Sequence, residues 1–143
     1  MAGETIIPRH DLSLAETDAV EDRLYEFHVA ATGRADGKGL AFLAHDDDGE
    51  MIGVVAGYTW AGITEIKQMW LREDVRGRGL GRRLMLAALD EATARGCQMA
   101  WVMSYEFQAP AFYEKLGFER AATLEDWPIG RSHVILRKRL VTP

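Results

Sequence analysis

The sequence predicts a mixed α/β fold, in which hairpin strands come first and a strand–helix–strand unit follows. Two features carry that reading. Segments 40–46 and 50–60 are apolar and strand-like, and the turn joining them contains Asp48-Gly49, a strong hairpin signal. Further along, a helical pattern over about 80–95 leads into an apolar run at 97–105. At 143 residues a single domain, 1–143, is expected, long enough to bury a core without metal or disulfide support.

Each element has its own signal. Residues 12–32 read as one or two amphipathic helices, with Leu24, Phe27, His28 and Ala31 at i, i+3, i+4 and i+7. Residues 33–39, GRADGKG, form a loop, and the hairpin strands follow. A third strand spans 63–71, with Ile63, Ile66, Met69 and Leu71 interspersed among polar residues. In the helix that follows, Met85, Ala88, Leu89 and Ala92 repeat the helical spacing, and Gly96 stands ready to end it. Its small alanines permit close packing on a sheet. The nearly continuous apolar run 97–105 predicts a central strand covered on both faces. Residues 110–118, PAFYEKLGF, read as a short helix with Pro110 in its first turn and Gly117 at its stop. A last strand occupies 131–140.

Composition narrows the function classes. Hydrophobic residues make up 48% and charged residues 27%, the mix of an ordinary soluble globular protein. No apolar run approaches membrane-spanning length and the N-terminal residues lack an export pattern, so a cytoplasmic protein without membrane attachment is expected. The one cysteine, Cys97, lies in an apolar strand and reads as a buried thiol. No metal is expected. The net charge of −5 is unevenly spread: residues 1–66 carry 4 basic and 13 acidic side chains, and residues 67–143 carry 13 and 9. The cations cluster at one turn, as Arg72, Arg76, Arg78, Arg82 and Arg83. That suits a compact anion and argues against nucleic acid, which calls for a broad basic face with interleaved aromatics.

The same turn, VRGRGLGRRLM, places Gly77, Gly79 and Gly81 where the helix begins. A helix start offers unpaired N–H groups and the positive end of the dipole, and glycines let the main chain approach a ligand. A phosphate or pyrophosphate therefore fits between Arg76 and Arg82. Gly81 is followed by Arg82 and Arg83 rather than Lys and Ser or Thr, which excludes a P-loop. A dinucleotide fingerprint would need glycine at Arg82.

The segment MWLREDVRGRGLGRRLM resembles the acyl-coenzyme A motif of the GNAT superfamily of N-acetyltransferases, Arg/Gln-x-x-Gly-x-Gly/Ala, with Arg76, Gly79 and Gly81 filling it. PAFYEKLGF resembles the family's second signature, a helix bearing Tyr followed by Leu-Gly-Phe. The two motifs fall in family order with a strand between them. The resemblance implies a mostly antiparallel mixed sheet of six to seven strands flanked by helices. It also implies acetyl-coenzyme A as co-substrate and a small-molecule or peptide amine as acceptor. A homodimer is a further expectation from the family.

Carried over residue by residue, the resemblance lays the pantetheine arm along Met69, Trp70 and Leu71. Arg76, Gly77, Arg78, Gly79, Leu80, Gly81 and Arg82 surround the pyrophosphate. Two strands are expected to splay at a bulge and open the slot for the arm. Tyr113 matches the family's general acid, and a backbone N–H near Leu71 would meet the oxyanion. Glu65 stands where many members carry a basic carboxylate, with His28 and His133 as other titratable candidates. Tyr25, Phe27, Trp60, Asp126 and Trp127 are candidate acceptor-side residues. Two positions depart from the pattern: Glu106 replaces an Asn that touches pantetheine, leaving Ser104 or Gln108 as substitutes, and Arg131 replaces a His. These departures keep a second reading open, a non-catalytic acyl-coenzyme A sensor or interaction domain.

Overall fold

The computed structural model describes residues 3–140, which fall into two compact units divided after Ala35. The first contains one helix, α1 (Leu14–Thr32), where the sequence allowed one or two. Ser13 and Glu16 close a capping box at its start, and Gly33 ends it in the left-handed region at φ 72°.

The second unit is a six-stranded sheet with two helices. Its strands are β1 (Lys38–His45), β2 (Met51–Trp60), β3 (Ile63–Leu71), β4 (Met99–Tyr105), β5 (Glu119–Glu125) and β6 (Ser132–Arg139). The spatial order is β1-β2-β3-β4-β6-β5, and only β3 and β4 run parallel. The mixed, mostly antiparallel sheet expected from the sequence is therefore present, with six strands. At the first hairpin, Asp46 accepts the amides of Asp48 and Glu50 at 3.0 Å each, and Gly49 turns the chain at φ 81°.

Helix α2 (Leu80–Ala94) packs on β1, β2 and β3, and the short α3 (Pro110–Lys115) packs on β5 and β6. One core joins them: Leu84, Met85, Ala88 and Leu89 of α2 meet Leu40, Val55 and Ile66. Tyr113, Leu116 and Phe118 join Val102, Val134 and Leu136 in the same core. Burying each large side chain here contributes about 1.5–3 kcal/mol. Arg95 pins the end of α2 to the sheet, donating to the Gly39 carbonyl and to Thr59 Oγ1 at 3.0 Å each. Cys97 is buried as expected, and burial pushes its thiol pKa up.

One expectation needs correction, and one strand is not placed by the sequence pattern. β4 is central, but only Ala100, Val102 and Ser104 are fully covered; Met103 on the other face is exposed. The face of this strand away from α2 is thus only partly covered, although its side chains are apolar. The strand β5 is a second difference, since the sequence pattern does not announce it. No helix among the described residues is long and apolar enough to cross a membrane.

Candidate active site

A bulge in β3 creates the site. Ala56 pairs with Gln68 but the next residue, Gly57, pairs with Ile66, leaving Lys67 as the extra residue. Gly57 is required there, because a Cβ would lie 1.9 Å from the carbonyl oxygen of Glu65. On the other edge of β3, pairing with β4 ends at Ile66 and Val102. Beyond that point the strands diverge, as the expected splay requires.

The gap has usable backbone. Arg72 donates its amide to Ile52 at 2.9 Å, so alternation along the antiparallel pair turns Trp70 toward β2 and turns Met69 and Leu71 away. The N–H groups of Met69 and Leu71 therefore face the gap. A cavity of about 530 Å³ occupies it, lined on one side by Met69, Trp70, Leu71 and Arg76. Met103, Ser104, Phe107, Gln108, Phe112 and Tyr113 form the opposite side.

The glycine turn stands beside β3. Gly77 and Gly79 have φ of 78° and 83°, the left-handed region that side-chain-bearing residues avoid. Gly79 is the N-cap of α2 and the first helical bond runs from Arg83 to its carbonyl, so the amides at 80–82 begin without intrahelical partners. No acidic residue occupies that first turn. The side chains of Arg78, Arg82 and Arg83 make no hydrogen bond or ion pair among the described residues, although Arg78 is near enough to Asp74 to help Arg72 hold that carboxyl's pKa down. Arg76 is fixed by donating its Nε to the Leu71 carbonyl at 3.0 Å, which leaves its guanidinium in the cavity wall. Gly81 serves packing instead. A Cβ there would meet Leu71 at 3.1 Å and Phe112 at 3.3 Å, so its absence lets α2 approach β3 and α3.

Tyr113 completes the wall. Its ring is held edge-on to Phe112 and Phe118 at centroid distances of 5.2 and 5.8 Å. The hydroxyl has no hydrogen-bond partner among the described residues, yet it is not a sealed polar atom, so it opens onto the cavity. Burial pushes its pKa up, keeping the hydroxyl protonated.

A model of the acetyltransferase (GNAT) family matches residues 8–118. The chain belongs to the GNAT acetyltransferase family. It is 30% identical over 130 residues to the acetyltransferase Atu2258 of Agrobacterium fabrum, covering 90% of this chain and 95% of that protein. It is also 35% identical over 102 residues to the blasticidin-S acetyltransferase of Streptomyces morookaense, covering 68% and 74%. Among solved structures, a candidate acetyltransferase of Agrobacterium tumefaciens superposes with a TM-score of 0.85 at 26% identity, covering 96% of this chain and all (100%) of that one. An acetyltransferase of Bacillus cereus shares the fold, with a TM-score of 0.78 at 24% identity over 94% and 98%. The GNAT chain is accordingly an acyltransferase by family.

The remaining sequence candidates of this GNAT chain are distributed unevenly. Glu65 sits just before the bulge and accepts the Tyr58 hydroxyl at 2.8 Å. Burial, reinforced by Glu65, pushes the Tyr58 pKa up to about 12. Glu65 is half-buried and lies at the foot of the gap rather than among the cavity-lining residues. Ser104 and Gln108 both line the cavity. Ser104 Oγ is occupied by Tyr105 O and Ala109 N, at 3.1 and 3.4 Å. Gln108 uses its Oε1 on the Tyr105 amide at 2.8 Å and keeps its amide N–H₂ for a ligand.

His133 does not reach the cavity. It is stacked on Tyr105 at 4.3 Å with Trp127 edge-on at 4.4 Å, and its Nδ1 is sealed without a partner among the described residues. Trp60 is half-buried at the end of β2 and outside the cavity lining. Asp126 accepts the Gly130 amide at 3.0 Å and shapes the β5–β6 loop, while Trp127 is exposed on it. Tyr25, Phe27 and His28 belong to α1 of the first unit. Phe107 and Phe112 are cavity-wall residues that sequence reasoning missed. Their position beside the Tyr motif was the available signal.

Proposed function

We propose that the protein transfers an acetyl group from acetyl-coenzyme A to the primary amine of a small molecule or peptide. The observation that carries this reading is the continuity of the gap. It leads from Arg76, which opens the cation-rich turn before α2, past the inward amides of Met69 and Leu71, to the wall formed by Tyr113. These groups suit the co-substrate. The amides at 77–82 with Arg76, Arg78 and Arg82 would hold the pyrophosphate, and the strand backbone with Gln108 would hold the amide-bearing arm.

Each residue then has a chemical role. A free primary amine with a pKa of about 10.4 is neutral in well under about one molecule in a thousand at pH 7, so a proton acceptor is needed. Glu65, held by Tyr58, would take that proton through water. The amine nitrogen bonds to the acetyl carbon while the Leu71 N–H stabilises the oxyanion. The C–S bond breaks as Tyr113 gives its proton to the sulfur, and the nitrogen sheds its second proton to water to leave the neutral amide. Solvent then reprotonates Tyr113 and takes the proton held by Glu65. A relative named for blasticidin S supports a small-molecule acceptor. The single buried, unpaired thiol fits a cytoplasmic setting.

Incubation with acetyl-coenzyme A and a panel of amines, read as thiol release, tests the reading. Amine-dependent release is expected. Coenzyme A binding with no release on any amine would support the sensor reading instead.

A further inference from the structure

Glu106 and Arg131, the two positions where the sequence departs from its family's pattern, meet in space. They lie 25 positions apart, one in the β4–α3 turn and the other at the end of the β5–β6 loop, and form a two-pronged ion pair. Arg131 Nε donates to Glu106 Oε1, and its terminal nitrogen lies 3.2 Å from Oε2. The Glu106 amide also donates to the Ser132 carbonyl at 3.0 Å. Three contacts thus join the same two segments. Neither side chain lines the cavity, so the pair does not touch its occupant directly.

The pair connects to the cavity through Phe107. The Arg131 guanidinium lies over the Phe107 ring, 4.8 Å from its centroid. Phe107 stacks on Tyr105 at 5.2 Å and 5°, and that ring stacks on His133. Trp127 of the loop meets the far end of the row, edge-on to His133. The row is therefore gripped at both ends by the β5–β6 loop, through Arg131 and Trp127. One member of the row, Phe107, forms part of the cavity wall. Phe107 is also 52% exposed, so neighbours on its outer side, rather than core packing alone, must hold it.

We propose that Glu106 and Arg131 are positioning residues that fasten the β5–β6 loop to the β4–α3 turn and thereby hold Phe107 in the cavity wall. The consequence for ligand affinity rests on the cavity being the coenzyme A slot. An unfastened loop frees the outer face of Phe107, and the wall then has to be ordered when the ligand binds. Affinity falls by that cost even though no contact to the ligand is removed.

The test uses Arg131→Gln, Glu106→Gln and the charge-swapped pair Glu106→Arg with Arg131→Glu. Two readouts are taken: hydrogen exchange over residues 105–109 and 126–131, and coenzyme A affinity by calorimetry. Each single variant should speed exchange in both segments and weaken coenzyme A by roughly threefold to tenfold, the scale of coupling through a packed network. The swapped pair re-forms the salt bridge without the cation over Phe107, so it should restore slow exchange, which a variant that had merely lost folding stability would not do, and recover affinity only in part. Unchanged exchange in the singles overturns the fastening. Faster exchange with unchanged affinity overturns the link to the cavity, and a swapped pair that restores neither readout overturns the fastening by the ion pair. If the wild-type protein binds no coenzyme A, the reading of the cavity fails, and the exchange data still decide the fastening on their own.

Discussion

The two sides of the gap are built on opposite principles. On the β3–α2 side, the site is backbone: inward amides on one strand edge, glycines at positive φ, and a helix start without side-chain caps. On the β4–α3 side, it is side chains: Tyr113 framed by Phe112 and Phe118, and Phe107 in a row of rings beneath Arg131. Main-chain groups suit whatever stays constant in the reaction, the co-substrate, because any substituent can ride on the same amides. Side chains suit chemistry that needs one particular group, such as the proton of the Tyr113 hydroxyl. The difference teaches that the first side should tolerate little change at glycine and much at its neighbours, and that the second should respond to individual side chains.

The largest expected effect breaks the side-chain half. Tyr113→Phe should lower kcat by about 10²–10⁴-fold, the usual cost of a lost general acid, while acetyl-coenzyme A binding stays nearly constant. Single-turnover kinetics decides between chemistry and product release; an unchanged acetyl-transfer rate removes Tyr113 from the mechanism. The sign of its pH dependence also follows. With Tyr113 as the proposed general acid the protonated hydroxyl is the active form, and burial raises its pKa, so activity should be lost only as pH rises above about 10. The Phe variant should lack that limb.

The backbone half is broken by Arg76→Ala with Gly79→Val. One change removes a guanidinium from the cavity wall, and the other forces a branched side chain into left-handed backbone. Coenzyme A affinity should fall about 100-fold by calorimetry, with circular dichroism retained. Retained affinity would move the pyrophosphate elsewhere.

Glu65→Gln sharpens the comparison at the foot of the gap, where the two halves still pair. On the proposed role of Glu65 as proton acceptor, this change should lower kcat/KM at pH 7 by about 10- to 100-fold, with recovery at alkaline pH as the free amine becomes abundant. An effect below about threefold at all pH values would leave Glu65 as a cross-strand partner of Tyr58 and nothing more. Gly57→Ala tests the bulge itself. The new methyl collides with the Glu65 carbonyl, so thermal unfolding should show a loss of about 1–3 kcal/mol.

The backbone half is also the more legible in sequence. Gly77 and Gly79 announce positive φ, and α2 begins at Leu80, inside the turn motif and where the helical pattern starts. The spacing of Met85, Ala88, Leu89 and Ala92 shows its buried face, and all four are buried. β5 is illegible for a physical reason: it is an edge strand in which no residue is fully buried, so no apolar alternation marks it. The Glu106–Arg131 pair is equally invisible as a pair. Each departure can be seen in its own motif, but only the β4–β6 pairing brings the two segments together. The bulge depends on Lys67, which carries no sequence signal, while Gly57 opposite it looks like any strand glycine.

The most direct measurement is amide chemical-shift mapping with acetyl-coenzyme A. The gap between β3 and β4 as its site predicts the largest shifts at Met69, Leu71 and residues 77–82, with smaller ones at Gln108 and Tyr113. A second cavity of about 470 Å³ lies across α2, lined by Phe42, His45, Leu80 and Arg83 among others. Shifts concentrated there, with Met69 and Leu71 unmoved, would contradict the assignment of the gap.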